Sequence, residues 1–186
     1  MTEAEWLMWE APVAALEWFR TGLSERKLRL LACSCWEIRA LQVPENPTLP
    51  EACERASKYA DGLLPFTELV PDSMLSDRNA WWTAMSTIQV MVRPDMEFLP
   101  GLPMQLLRDI FGNPFRPVTP NPSWLTSTVV ALAQGIYEER AFDRMPILAD
   151  ALQDAGCDNE DILNHCRQPG EHVRGCWVVD LLTGRT

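Results

Sequence analysis

The sequence predicts an all-α protein, a compact multi-helix domain of short helices crossed by a proline-rich extended strap. Apolar residues recur at spacings of three and four, as in Leu28, Leu31, Cys35 and Ile38, which marks one buried face of a helix. Residues that start and stop helices bracket these runs. No segment alternates apolar and polar residues strongly enough to compete as a strand.

The elements follow in order. Thr2 and Glu5 form a capping-box pattern ahead of WLMWEAP, because hydroxyl and carboxylate can each satisfy an open amide of the first turn. Pro12 opens AALEWFRTG and Gly22 ends it. Ser24 starts SERKLRLLACSCWEIRALQV, whose buried set should be Leu28, Leu31, Cys35, Trp36 and Ile38, with Arg26, Lys27 and Glu37 solvated. PENPTLP is a turn-rich linker. Pro50 sits in the first turn of EACERASKYADG, and Gly62 closes it. Asp77 is the expected cap of DRNAWWTAMSTIQVMVR. The chain breaks at 94–104, and Leu106, Leu107 and Ile110 mark a short helix. Gly112, Pro114, Pro117, Pro120 and Pro122 then enforce the strap, which Phe111, Phe115 and Trp124 can pin to a core. Ser123 caps SWLTSTVVALAQGIYEERAF, Asp143 begins DRMPILADALQDAG, and Gly156 ends it. Asp158 caps NEDILNHCR, with Asp161 at its third position, and EHVRGCWVVDLL is the last helix. Residues 1–186 read as one all-helical domain, with 1–92 and 106–186 as candidate N- and C-terminal lobes.

Composition bounds the function. Apolar residues make up 47% of the chain, enough to build a core rather than a disordered segment. The eight tryptophans are spread along the chain, which suits core packing better than a single ligand platform. A formal net charge of -10, with no window rich in Lys or Arg, disfavours nucleic acid as a partner. No run of eighteen apolar residues exists to span a bilayer, and the acidic start, MTEAEWLMWEAP, lacks the basic end of a signal peptide. A cytoplasmic protein is expected, its six cysteines thiols or metal ligands rather than disulfides.

Several segments resemble an uncharacterised, paralogue-rich protein family of planctomycete bacteria. They are TEAEWL, SERKLRLLACSCWEIR and ASKYADG in the first half, then LLRDIFGNPFRPV, IYEERAFDRMPILADALQDAGC and HCRQPGEHVRGCWVVDLLTG. The most specific likeness covers residues 106–184. The family has no assigned activity, so the resemblance implies none. It does place His165, Cys166, His172 and Cys176 in the most recognisable segment. Relatives often carry adjacent cysteines and basic residues where this chain has Cys35, Trp36 and Glu37, which argues against a metal site in the first half.

Three of the six cysteines and both histidines lie between Cys157 and Cys176. Thiolate sulfur and imidazole nitrogen are the soft donors that structural zinc sites favour, usually four in a tetrahedral array. His165, Cys166, His172 and Cys176 are the candidate metal ligands, with Cys157 as an alternative. On a helical reading of EHVRGCWVVDLL, His172 and Cys176 stand one turn apart, Asp180 one turn further, and Val173, Trp177 and Leu181 face the core. Two readings stand side by side: a structural Zn2+ site, or a hydrogen-bonded polar corner of the core. A catalytic set of Cys166 or Cys176 with His172 and Asp180 lacks any segment that resembles an oxyanion hole. No glycine-rich phosphate loop occurs. Arg167 and Arg174 have Asp161 and Glu171 as expected counter-charges, and Arg108, Arg140 and Arg144 flank acidic residues that invite buried ion pairs.

No motif names an activity. The sequence favours an interaction or adaptor module with a protein partner and no membrane partner. The alternative is a thiol or metal-dependent enzyme built on the C-terminal Cys/His cluster.

Overall fold

The computed structural model describes residues 1–18, 20–21, 23–42, 47–69, 73, 75–93 and 101–185. Among these residues lie ten α-helices and three short 3-10 turns, and no strand, so the protein is all-α. No described helix is long and apolar enough to cross a membrane. The chain divides into two compact units, Met1–Arg108 and Asp109–Thr186, with the division inside a helix.

In the first unit, α1 (Glu3–Met8) carries the expected capping box: Thr2 Oγ1 accepts from the Glu5 amide at 3.3 Å, and Glu5 accepts from the Thr2 amide at 2.6 Å. Pro12 opens α2 (Pro12–Trp18), while the stop assigned to Gly22 lies outside the described residues. The centre of the unit is α3 (Glu25–Gln42), which packs against α4 (Leu49–Ala60) and α5 (Ala80–Met91). Its run Leu28–Cys35 is buried at every position, so α3 is enclosed on all sides there rather than along one stripe. Arg29 is accommodated by donating to the carbonyls of Asp77 and Arg78 and by stacking 4.8 Å over Tyr59. Two expectations change with this enclosure. Trp36 and Ile38 are half-buried, and Arg26 is not solvated but held by Asp61 at 2.8 Å, with both side chains 12% exposed.

Several helix starts lie within two or three residues of their expected places, and three of them move to a residue whose side chain caps the first turn. Asn79, not Asp77, caps α5; Asp77 instead accepts the Asn79 amide in a local turn. The linker PENPTLP is described only from Pro47, and α4 starts at Leu49. Of the break expected at 94–104, residues 94–100 lie outside the described ones, while α6 (Leu102–Phe111) already begins at Leu102. Among the described residues Arg108 has no ion-pair partner within salt-bridge distance, and its guanidinium donates to the carbonyls of Trp6 and Trp9.

The second unit takes the last residues of α6, the strap, and four helices: α7 (Ser127–Glu139), α8 (Met145–Asp154), α9 (Glu160–Arg167) and α10 (Trp177–Thr183). Thr126, rather than Ser123, caps α7, because Pro122–Trp124 is taken up by a 3-10 turn capped by Asn121. A second 3-10 turn at Phe142–Arg144 precedes α8, so Asp143 lies in that turn. Asn159, not Asp158, caps α9, which moves Asp161 to the second helical position. The core gathers Val129, Ile136, Leu148, Leu152, Ile162, Val178 and Leu182 with the strap's Trp124, while Phe111 and Phe115 stay half-buried.

The last helix is where local pattern misleads most. Residues 171–176 are not helical; α10 begins only at Trp177. Gly170 and Gly175 adopt φ of 153° and 93°, conformations a continuous helix does not contain. The face turned inward is Val178, Val179, Asp180 and Leu182, while Val173, Trp177 and Leu181 are half-buried. Arg167 pairs with Asp150 at 3.0 Å and Gln153 at 2.7 Å, and Asp161 pairs with Arg116 of the strap.

Candidate metal centre

Four side chains of the second unit converge: Asp109, His165, His172 and Cys176. One ligand atom from each lies within 4.8 Å of every other. Among the described residues this is the one such group of His, Cys, Asp and Glu. Asp109 comes from the last turns of α6, His165 from the end of α9, His172 from the loop that follows, and Cys176 from the cap position of α10.

The distances describe a tight polar knot. His165 Nε2 lies 3.1 Å from Asp109 Oδ1 and 3.2 Å from Cys176 Sγ. His172 Nδ1 lies 2.6 Å from the same Oδ1. The other carboxylate oxygen, Oδ2, accepts the Val173 amide at 3.0 Å. Nε2 of His172 is buried and makes no hydrogen bond, so Nδ1 is the nitrogen this ring turns toward the group. His165 stacks edge-on to His172 and tilted against Trp177, with ring centres 4.9 and 5.2 Å apart. Side-chain exposure is 8% for His165, 7% for His172 and 4% for Asp109.

Burial pushes the Asp109 carboxyl up, but hydrogen bonds from both histidines, and their charges, outweigh it and leave Asp109 below the ordinary carboxylate range. Cys176 goes the other way. Burial and then the Asp109 charge hold its thiol well above the ordinary value, against partial relief from the Val179 and Val178 amides. Such a thiol keeps its proton unless a cation arrives to replace it.

The residues expected to hold a metal are therefore divided by the fold. His165, His172 and Cys176 come together; Cys166 and Cys157 do not join them and lie in the apolar core of the unit. Successive residues of a helix point about 100° apart, so His165 and Cys166 face different surroundings. Burial, followed by Asp109 and Cys157, pushes the Cys166 thiol up to about 12. The fourth partner, Asp109, is one that local spacing did not bring forward, because it precedes His165 by more than fifty residues. Its signal was present: a carboxylate set among Leu106, Leu107 and Ile110, all fully buried.

This group could hold a metal ion. Tetrahedral zinc bonds of about 2.0–2.3 Å put neighbouring donors roughly 3.3–3.7 Å apart. The two contacts of His165, at 3.1 and 3.2 Å, are one or two tenths of an ångström shorter than that range, so they and the 2.6 Å His172–Asp109 hydrogen bond would open to admit the ion. A cysteine nucleophile fits less well. In a working Cys–His–acid set the carboxylate holds the imidazole nitrogen remote from sulfur. Here Asp109 and Cys176 share Nε2 of His165, while Nδ1 meets Gln168 at 3.3 Å. Asp180 is buried on α10, one turn beyond Cys176. Comparison of the chain with family models, curated proteins and solved structures returns no match.

Proposed function

We propose that the chain is a non-catalytic helical interaction module whose second unit is closed by one structural zinc ion. The carrying observation is the buried convergence of Asp109, His165, His172 and Cys176. Asp109 and deprotonated Cys176 supply two negative charges and the imidazoles none, so a divalent ion leaves the buried site neutral, the condition under which burying charge is least costly. Four protein donors complete a tetrahedral shell and leave no position for a substrate water, the mark of a structural rather than catalytic ion. Membership of the planctomycete family belongs to this reading, because its most recognisable segment contains three of the donors.

The interaction half of the proposal is supported in the first unit. Leu7, Met8 and Trp18 are 55%, 83% and 45% exposed, and an open cleft of about 480 Å3 is lined by Met1, Glu5, Met8, Trp9 and Trp18. Affinity capture with wild-type protein and Met8→Glu in parallel tests it. The cleft should lose its partner in the variant; equal capture by both would contradict it. The zinc half is tested by paired variants. Cys176→Ser should abolish zinc retention and Cys53→Ser should leave it intact, since Cys53 lies in the separate core of the first unit. Equal retention by both variants would overturn the assignment.

A further inference from the structure

We infer that Gln168 is the positioning residue of this site, an amide that serves both the metal-free and the metal-bound tautomer of His165. The inference rests on the zinc reading above and deepens it. His165 turns Nε2 into the site, where it meets Asp109 and Cys176. Its other nitrogen, Nδ1, lies 3.3 Å from the side-chain amide of Gln168, one turn along and at the C-cap of α9.

A neutral imidazole carries one proton, so its two nitrogens play opposite roles. With the ring neutral and no ion bound, Nε2–H donates to the Asp109 carboxylate, and Nδ1 is then an acceptor that suits the Gln168 NH2. With an ion on Nε2, the proton moves to Nδ1, which then needs an acceptor. Rotating the Gln168 amide by half a turn presents Oε1 to it. Few side chains offer a donor and an acceptor from one place; Glu offers only acceptance when ionised, and Leu offers neither. Ligand histidines generally depend on such an outer partner, whose loss weakens metal affinity about 10–100-fold.

Zinc affinity is to be measured by competition with a chromophoric chelator for wild type, Gln168→Glu and Gln168→Leu, with long-range 1H–15N spectra of the imidazoles recorded with and without zinc. Gln168→Leu should bind about tenfold more weakly, and Gln168→Glu at least as tightly as wild type, since its carboxylate favours Nδ1–H. The wild-type His165 proton should move from Nε2 to Nδ1 on loading. Equal affinities in all three proteins, or an unmoved proton, would overturn the role of Gln168 while leaving the zinc reading intact. A wild-type protein that takes up no zinc would remove that reading and this inference with it.

Discussion

Asp109 shows at the scale of one residue how a buried charge is kept. Its carboxylate is 4% exposed, and it accepts from His172, from the Val173 amide and from His165. Both carboxylate oxygens are engaged, which is the condition for leaving an ionised group inside a protein. Gly112, three residues on, holds the wall of the site. Its φ of 68° is left-handed, and a Cβ there would meet Trp177 Cγ at 3.1 Å. Trp177 packs on His165. Gly112→Ala is therefore expected to cost about 1–2 kcal/mol from backbone conformation and more from displacing the indole. A lowered denaturant midpoint and weaker zinc binding are the expected readouts. An unchanged midpoint would mean that neither the backbone nor Trp177 is constrained there. In the sequence Asp109 is one acid among apolar residues, and nothing in that pattern names its partners. Spacing reports neighbours on one element and says nothing of loops that return from far along the chain.

At the scale of elements, starts were more legible than faces. The Thr2–Glu5 box, Pro12 and the glycine stop at Gly62, which takes φ of 71°, were all readable because each depends on groups a few residues apart. The last helix was misread for the same reason. VRGCWVVDLL has helical periodicity, but Gly175 bends the chain, and His172 and Cys176 reach the site from a loop and a cap instead of one face. In α3 the stripe was readable but not its width, since enclosure on the remaining sides comes from α4 and α5. Leu31, fully buried in α3, supplies the stability test. Leu31→Ala should destabilise by about 2–5 kcal/mol, read as a shift in denaturant midpoint at constant slope. A midpoint within error of wild type would contradict the enclosed placement of α3.

Across the whole molecule, all six cysteines are buried and outside disulfides, and among the described residues only Cys176 stands in a group of possible metal donors. Burial pushes both Cys35 and Cys166 up to about 12. At pH 8 their thiolate fraction is on the order of 10⁻⁴, and thiolate is the reacting form. Iodoacetamide should therefore modify the native protein far more slowly than a model thiol, and all six sites should open together on denaturation. Rapid labelling of Cys176 in the native state would revive the nucleophile reading. Elemental analysis of protein purified without added metal tests the presence of the ion most directly. Close to one zinc per chain is expected, with a melting temperature that falls in strong chelator because metal binding energy is also folding energy. A ratio near zero, with melting unchanged by chelator, would leave Asp109, His165, His172 and Cys176 as a hydrogen-bonded core corner and contradict the account.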